Sequence, residues 1–476
     1  MKVIRGFIIV IFTICCGSTG TKAQDVYLSI PEDNIFNRSE FTSSPITVMN
    51  TSRTNWDYAF LGLFPVSPTF TSTSGANFIH TTTTVSLPAT VLLWQLESMG
   101  GRLPSMGYQG YLPDFQSFKA SPIIWFGPPA SILGGGFSRG NINFTFKIPA
   151  EQIASNAFQA GNYSMNITQN YDFTPRNFRT VLVIPASVRW LTASPTKYIE
   201  ISSLNDYRIT GTRVLGNLGN AEIGHTVDFN LWAKVAANSI QFVSSKGTQG
   251  TRNIASVKLG SNGSALTTKA LSSTFQNFSA ANFNVIPGNR NSFIPELYVS
   301  AEDLKTHFFE AGTYTFELNF SARSTDNSIN SLQNTAVQLK VLPRSEITIP
   351  SSGQNVNFNF NTAAHYANGQ SQTIQKQIKL SNNENFELYV KSDENYFKKG
   401  GVQTAINSNI LQIGLEGSSA NVPLSKTPQK ILTNGTPVLD RELNVRYTIP
   451  PAGAQTLVGK ESSTYSVNVY YSFTAI

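Results

Sequence analysis

The stretch GNYSMNI at residues 161–167 recurs as GTYTFEL at 312–318 and again as STYSVNV at 463–469. The tyrosines of these stretches are 151 residues apart in both intervals. Each stretch alternates apolar and polar side chains, which is typical of a β-strand with one buried face. A repeat of fixed length indicates tandem copies of one structural unit. The sequence therefore predicts three copies of one β-rich domain.

Flanking segments also have the composition and periodicity of strands. Alternation is clear in NFTFKI at 143–148 and in NVRYTI at 444–449, with Asn, Gly, Ser and Pro clustered between such runs. Helical periodicity is confined to single turns predicted at 151–158 and 302–309. The predicted fold class is all-β, with three tandem immunoglobulin-like antiparallel β-sandwich repeats.

Segments that contain proline and interrupt the strand patterns set the predicted boundaries of the repeats. Because these connecting segments are short, we predict that the repeats form a stiff rod. We predict a signal peptide at 1–23, repeat 1 at 24–187, repeat 2 at 188–343 and repeat 3 at 344–476. These repeats are called copies one, two and three below. Their predicted opening strands are Tyr27–Pro31, Tyr198–Ser202 and Glu346–Pro350.

The N-terminus has the features of a secretory signal. Lys2 and Arg5 precede the apolar run 7–16, and a small polar stretch with a cleavage site follows. An apolar run of this length is too short to cross a bilayer. Both cysteines, Cys15 and Cys16, lie in this segment, so the mature chain is predicted to have no disulfide and no thiolate. Lipidation of Cys16 is an alternative that the sequence leaves open.

Charge and motifs exclude several classes of function. The 476 residues carry a net charge of +7, and removal of Lys2, Arg5 and Lys22 with the signal peptide leaves +4 without a basic cluster, which excludes a nucleic-acid footprint. The four histidines are scattered without zinc-site spacing, and no phosphate loop or nucleophile elbow occurs. In our repeat alignment His80 and His225 occupy equivalent positions, which favours a structural role. We predict no enzyme activity, no metal site and no cofactor.

An aromatic-rich segment of copy one is the candidate ligand face. It runs from Trp94 to Phe126, and aromatic side chains on loops stack on sugars or fill partner pockets. Trp94 aligns with apolar residues of the other copies and is predicted to lie in the core. Tyr108, Tyr111 and Trp125 have weaker counterparts and are the predicted ligand-binding residues.

The C-terminus differs from the ends of the other copies. Copies one and two continue into a further strand, Thr180–Ile184 and Ala336–Val341, whereas the sequence of copy three stops at Ile476. A sandwich without its last strand has an unpaired edge that accepts a strand from another chain. The alternative is that the two extra strands are linkers and that copy three is complete.

The last strand of copy three has an apolar face that carries Val467, Val469, Tyr471 and Phe473. This alternating ending after Gly-x-Tyr resembles bacterial fimbrial subunits and spore-coat-U-like secreted domains. The resemblance implies a periplasmic chaperone and polymerisation by donor-strand exchange, with those four residues as the partner-strand face. The chain departs from many pilins because it lacks a cysteine pair and contains three copies.

Together these features predict an exported, non-enzymatic surface protein, a fimbria-associated or adhesin-like subunit on the outer surface of a Gram-negative bacterium. Its expected partners are other surface or fimbrial subunits, a periplasmic chaperone and a glycan, without nucleic acid and without a transmembrane segment. Two alternatives remain open: a secreted carbohydrate-binding module and a purely structural spacer.

Overall fold

The computed structural model describes residues 24–51, 69–99, 114–124, 140–171, 174–193, 196–419 and 421–476. Within these ranges the helices are short: α1 (Glu32–Asn37), α2 (Ala150–Ser155), α3 (Ala301–His307), α4 (Ala363–Asn368) and α5 (Pro451–Gln455). The helical turns predicted after 150 and 301 are confirmed by α2 and α3. Apart from five single-turn 3-10 helices, strands make up the rest of the regular structure of these ranges.

The strands of copy one are β1 (Val26–Ser29), β2 (Phe41–Thr42), β3 (Ile46–Thr51), β4 (Thr69–Ser72), β5 (Asn77–His80), β6 (Ser86–Pro88), β7 (Leu93–Met99), β8 (Gln116–Ser117), β9 (Ile123–Ile124), β10 (Gly140–Ile148), β11 (Gly161–Tyr171) and β12 (Thr174–Ile184). Those of copy two are β13 (Val188–Trp190), β14 (Lys197–Ile201), β15 (Thr212–Asn217), β16 (Ala221–His225), β17 (Phe229–Val235), β18 (Ser239–Ser244), β19 (Gln249–Asn253), β20 (Val257–Ser261), β21 (Lys269–Ala270), β22 (Gln276–Asn277), β23 (Arg290–Phe293), β24 (Pro295–Ser300), β25 (Gly312–Ser324) and β26 (Asn330–Val341). Those of copy three are β27 (Ser345–Thr348), β28 (Gln370–Asn382), β29 (Phe386–Ser392), β30 (Tyr396–Lys399), β31 (Val402–Asn407), β32 (Gln412–Leu415), β33 (Asn421–Pro423), β34 (Gln429–Gly435), β35 (Val438–Ile449) and β36 (Val469–Ala475).

Copies one and two share one sheet topology around the repeated Gly-x-Tyr strand. One sheet of copy one has the order β1-β12-β11-β4-β9, and its counterpart in copy two has the order β14-β26-β25-β17-β22. The opposing sheets are built on β10 and on β24. Since each strand buries the residues of one face, the two sheets enclose an apolar core.

The last strand of each of these copies lies inside its sheet. We call β12 and β26 the closing strands, because each lies between the Gly-x-Tyr strand and an early strand of its copy, β1 or β14. Each closing strand is antiparallel to the Gly-x-Tyr strand and parallel to β1 or β14. The alternative that these segments are linkers is therefore wrong.

In all three copies the hydroxyl of the repeated tyrosine bonds to the backbone of the residue four positions earlier, as a donor in two copies and as an acceptor in one. Tyr314 Oη donates to the carbonyl of the residue four positions earlier at 2.7 Å, and Tyr465 Oη does the same at 2.8 Å. Tyr163 Oη instead accepts from the Gln159 N–H at 3.0 Å. A tyrosine that bonds back to the preceding corner is a feature of immunoglobulin-like sandwiches.

Buried apolar residues form three clusters that follow each other along the chain. The first extends from Val26 to Ile184, the second from Val188 to Val341 and the third from Ile378 to Ala454. The all-β sandwich fold is confirmed by the sheets and by these cores. The exact boundaries of the three repeats stay a prediction.

Copy three corrects the predicted set of opening strands. β27, which contains most of Glu346–Pro350, pairs antiparallel with β28 and thus corresponds to β13 rather than to the parallel strands β1 and β14. The counterpart of β1 and β14 is the segment 355–360, which lies outside any strand. The prediction relied on the β-branched residues of Glu346–Pro350. Such residues are equally compatible with a strand that pairs antiparallel, like β13, and with one that pairs parallel, like β14.

The predicted equivalence of His80 and His225 is wrong. His80 ends β5 and lies opposite Tyr163 of the Gly-x-Tyr strand, whereas His225 ends β16 and lies opposite Val188. Their side chains nevertheless have structural contacts. His80 Nε2 lies 3.0 Å from the Ala160 carbonyl, and the buried His225 Nδ1 lies 2.9 Å from the Val227 carbonyl.

Candidate strand-docking site in copy three

The final strand, β36, lies at the edge of its sheet. The sheet has the order β34-β29-β36, so β29 pairs with only one edge of β36. Among the described residues, no strand pairs with the other edge. Just before β36, Asn468 N–H and Nδ2 donate to the Asp393 carboxylate at 3.0 and 3.1 Å. These contacts fix where the strand begins.

A cation completes this anchor. Lys398 Nζ lies 2.9 Å from Asp393 Oδ2. Burial by itself would raise the pKa of Asp393, but the hydrogen bonds from Lys398 and Asn468 outweigh it and lower that pKa. Asp393 is therefore ionised near neutral pH, as an acceptor of three donors requires.

The predicted partner-strand face lies on the inner side of β36. Val467, Val469, Tyr471 and Phe473 pack against the third core cluster but remain half-buried, and the residues between them are exposed. Most of the same face of the Gly-x-Tyr strand is buried in the other copies: Tyr163, Met165 and Ile167 in copy one, and Tyr314, Leu318 and Phe320 in copy two. Phe316, the counterpart of Val467, is half-buried like Val467 itself. Copy three thus has the same apolar face, but most of its side chains are more exposed to solvent than those of the other copies.

The second border of the site is the segment 355–360, with the sequence NVNFNF. Val356, Phe358 and Phe360 alternate with exposed asparagines and pack, half-buried, against the third core. In copy one the corresponding Val26, Leu28 and Ile30 are fully buried. Within the described residues, segment 355–360 has no backbone–backbone hydrogen bond to a strand, and its one bond to a strand is from Gln370 Nε2 of β28 to the Asn359 carbonyl at 2.5 Å. Prediction from sequence missed it, although its alternation was visible.

The two borders correspond to the two strands that flank a closing strand in copies one and two. In copies one and two the closing strand hydrogen-bonds to both neighbours and adds buried side chains, among them Leu182 and Leu339. In copy three, β36 and segment 355–360 are the counterparts of these neighbours by chain order, and both pack against the third core cluster. In the described residues no strand pairs with the open edge of β36. The candidate site is therefore this open edge, and we infer by analogy with copies one and two that segment 355–360 is its other border.

Beneath this site lies a polar contact inside an apolar core. The hydroxyls of Tyr447 and Tyr471 are 2.5 Å apart. Burial raises the pKa of both phenols, so both hydroxyls stay protonated and one donates to the other. This bond ties the inner face of β36 to β35 in the opposing sheet.

The predicted ligand residues Tyr108, Tyr111 and Trp125 lie outside the described residues, so the ligand face stays a prediction. Trp94, predicted to be core, is fully buried against Phe70 with ring centroids 4.9 Å apart. In the described ranges no group of three His, Cys, Asp or Glu side chains is arranged to hold a metal ion. No helix there has the length and hydropathy of a membrane span.

No family model matches this chain, and no curated protein matches it. Solved structures with similarity include CfaE, the adhesive subunit of the CFA/I fimbria of enterotoxigenic Escherichia coli, at 10% identity over 68% of this chain and 100% of that chain, with a TM-score of 0.29. The CsuC–CsuE chaperone–tip adhesion subunit complex of Acinetobacter baumannii has 12% identity over 60% of this chain and 99% of that one, with a TM-score of 0.27. Titin domains I67–I69 have 10% identity over 94% of this chain and 95% of that one, with a TM-score of 0.20. Values this low carry no argument about function, and the sheets and tyrosine contacts alone define the class: a chain of immunoglobulin-like sandwiches.

Proposed function

We propose that this protein is an exported, non-enzymatic surface subunit, fimbria-associated or adhesin-like, and that it docks by accepting a β-strand in copy three. The observation that carries the proposal is the open edge of β36, with segment 355–360 as its inferred other border. Its partner is a surface or fimbrial subunit, or a periplasmic chaperone, that contributes an extended strand.

The other copies define the direction and pattern of that strand. By analogy with β26, the incoming strand runs antiparallel to β36 and parallel to segment 355–360. In β26 the residues Val337, Leu339 and Val341 are buried, and they lie opposite Phe316, Tyr314 and Gly312. The 151-residue repeat places Val467, Tyr465 and Ser463 opposite the same positions in copy three.

Burial supplies the driving force for docking. Each apolar side chain that becomes fully buried contributes about 1.5–3 kcal/mol, and the strand also satisfies the free backbone groups of both borders. Three alternating apolar residues offset part of the cost of ordering the strand, which is about 1–2 kcal/mol per residue. Burial of the half-exposed side chains of β36 and of segment 355–360 contributes in the same direction.

A peptide with the sequence of β26 tests the proposal. The peptide NSLQNTAVQLKV, residues 330–341, is added to the full-length protein, and hydrogen exchange is followed in each copy. We expect protection of β36 and of segment 355–360, without a change in copy one. The matched control is the same peptide with Val337→Asp and Leu339→Asp, which keeps the backbone but cannot bury those positions. Equal protection by both peptides, or none by the first, contradicts strand docking.

A cellular experiment tests the role at the surface. Deletion of 467–476 removes the partner-strand face and is expected to abolish surface display while copies one and two stay folded. Display that survives the deletion would show that copy three does not attach the protein. Glycan binding by Tyr108, Tyr111 and Trp125 is a separate hypothesis, and a glycan array that compares wild type with Trp125→Ala tests it.

A further inference from the structure

The two joints between copies have the same length and position. The first joint (185–187) links β12 to β13, and the second joint (342–344) links β26 to β27. Each has three residues and contains one proline, which fixes one backbone torsion. A joint this short still leaves several torsions free, so the orientation of neighbouring copies depends on further contacts.

Thr226, directly after β16, makes four hydrogen bonds at the first joint. Its hydroxyl donates to the Pro185 carbonyl at 2.6 Å and accepts the Ser187 N–H at 2.9 Å. Its own N–H donates to the Ser187 carbonyl at 2.9 Å. Its carbonyl accepts the Ala160 N–H of copy one at 2.7 Å.

Asn383, directly after β28, repeats all four bonds at the second joint. Its Nδ2 donates to the Leu342 carbonyl at 2.9 Å, and its Oδ1 accepts the Arg344 N–H at 2.7 Å. Its N–H donates to the Arg344 carbonyl at 3.2 Å, and its carbonyl accepts the Ala311 N–H of copy two at 2.8 Å. Threonine and asparagine share no side-chain shape, but both supply one donor and one acceptor.

We propose that Thr226 and Asn383 are positioning residues that hold the three copies in one fixed arrangement. Each does so by its hydrogen bonds to the joint that precedes its own copy. Both are fully buried, so water does not replace the lost bonds. Each side chain bonds to the carbonyl of the first residue and to the N–H of the third residue of its joint. These two bonds fix the path of the chain between two sheets. Each also bonds to the residue before the Gly-x-Tyr glycine of the preceding copy.

At each joint a second contact also connects the two neighbouring copies. Asn289 Nδ2 donates to the Phe158 carbonyl at 2.8 Å, and Asn289 Oδ1 accepts the Phe158 N–H at 3.0 Å. At the position 151 residues later, Asp440 accepts from Arg208 of copy two at 2.8 Å. Asn289 and Asp440 both have left-handed backbones, with φ of 55° and 54°. The four-bond pattern is thus shared, while the second contact is neutral at one joint and ionic at the other.

Distances between spin labels on neighbouring copies test the proposal in the full chain. With Cys15 and Cys16 replaced by Ser, introduced cysteines are the only thiols. Labels at the exposed positions Thr84 and Lys246 span the first joint, and labels at Lys246 and Val402 span the second. Wild type is expected to give one narrow distance distribution across each joint.

Substitutions of similar shape remove only the side-chain bonds. Thr226→Val is expected to broaden the distribution across the first joint and leave the second unchanged, and Asn383→Leu is expected to do the reverse. Thr226→Ser keeps the hydroxyl and should restore the narrow distribution. The matched control is Ser256→Ala, which removes a buried hydroxyl bond of 2.7 Å inside copy two and should broaden neither distribution.

Two outcomes would overturn the proposal. The first is a Thr226→Val protein whose first-joint distribution is as narrow as that of wild type. The second is broadening at both joints from either substitution, because general loosening would then explain the result. Tryptophan fluorescence verifies the folding of the Thr226 variants, because all five tryptophans lie in copies one and two. Hydrogen exchange in copy three verifies the folding of Asn383→Leu before labels are compared.

Discussion

Substitution of the repeated tyrosine by phenylalanine gives a graded test of the fold, because one bond occurs in three environments. Tyr314 and Tyr163 are fully buried, whereas Tyr465 is half-buried and its acceptor, Glu461, is exposed. Burial raises the pKa of Tyr314, so its hydroxyl stays a donor at all ordinary pH values.

The expected cost follows from what the substitution leaves behind. Tyr314→Phe leaves the Glu310 carbonyl without its 2.7 Å donor, and Tyr163→Phe leaves the Gln159 N–H without its acceptor. Losing a buried partner in this way costs about 1–2 kcal/mol. In Tyr465→Phe water replaces the hydroxyl at the exposed Glu461 carbonyl, so the cost falls to about 0.5 kcal/mol or less.

Hydrogen exchange measured by mass spectrometry assigns these costs to individual copies. We expect exchange in the affected copy to accelerate about tenfold for Tyr314→Phe and Tyr163→Phe, since about 1.4 kcal/mol corresponds to a factor of ten. For Tyr465→Phe the change should be within about twofold. If Tyr465→Phe loosens copy three as much as Tyr314→Phe loosens copy two, the reasoning from burial is refuted.

Three further substitutions or conditions test the joints and the Gly-x-Tyr strand. The hydrogen bond from Arg208 lowers the pKa of Asp440, so the stabilisation by this pair is present above the unfolded pKa and is lost as the pH falls through the folded pKa; acid should broaden label distances across the second joint, and Asp440→Asn should weaken that dependence without abolishing it, because Glu346 of copy three also lies 2.6 Å from Arg208. Gly312→Ala places a Cβ 2.3 Å from the Val243 carbonyl at a φ of 155° and should lower the free energy of unfolding of copy two by at least about 1–3 kcal/mol, measured by denaturant titration. Phe36→Ala removes a fully buried ring at the first joint, and a loss of about 3–5 kcal/mol is expected in copy one, with unchanged exchange in copy three as the control.

The all-β fold was predictable because its evidence is local. The alternation around Tyr163, Tyr314 and Tyr465 indicates both a strand and its buried face. The fixed interval between these tyrosines indicates a repeat. The half-buried side of β36 was predictable for the same reason, since Val467, Val469, Tyr471 and Phe473 alternate with exposed residues. Their placement on the inner side of β36 agrees with that pattern, while their role in docking stays a proposal.

Pairing partners were not predictable in the same way. Glu346–Pro350 and segment 355–360 both have strand character, and only their neighbours in the sheet show which one corresponds to β14. The alignment of His80 with His225 failed because similar β-rich strings occur at several places in one repeat. Thr226 and Asn383 could not be found by similarity, since they share hydrogen-bonding capacity rather than residue type.

The parallel pairing of β1 with β12 also determines how a stretched copy resists force. When the two ends of copy one are pulled apart, β1 and β12 slide along each other, so the hydrogen bonds between Val26–Ser29 and their partners are loaded together rather than one after another. Copy two has the same arrangement in β14 and β26. In copy three segment 355–360 has no such partner among the described residues. Under tension we therefore expect copy three to yield before copies one and two, and an inserted strand to give it a comparable shear resistance.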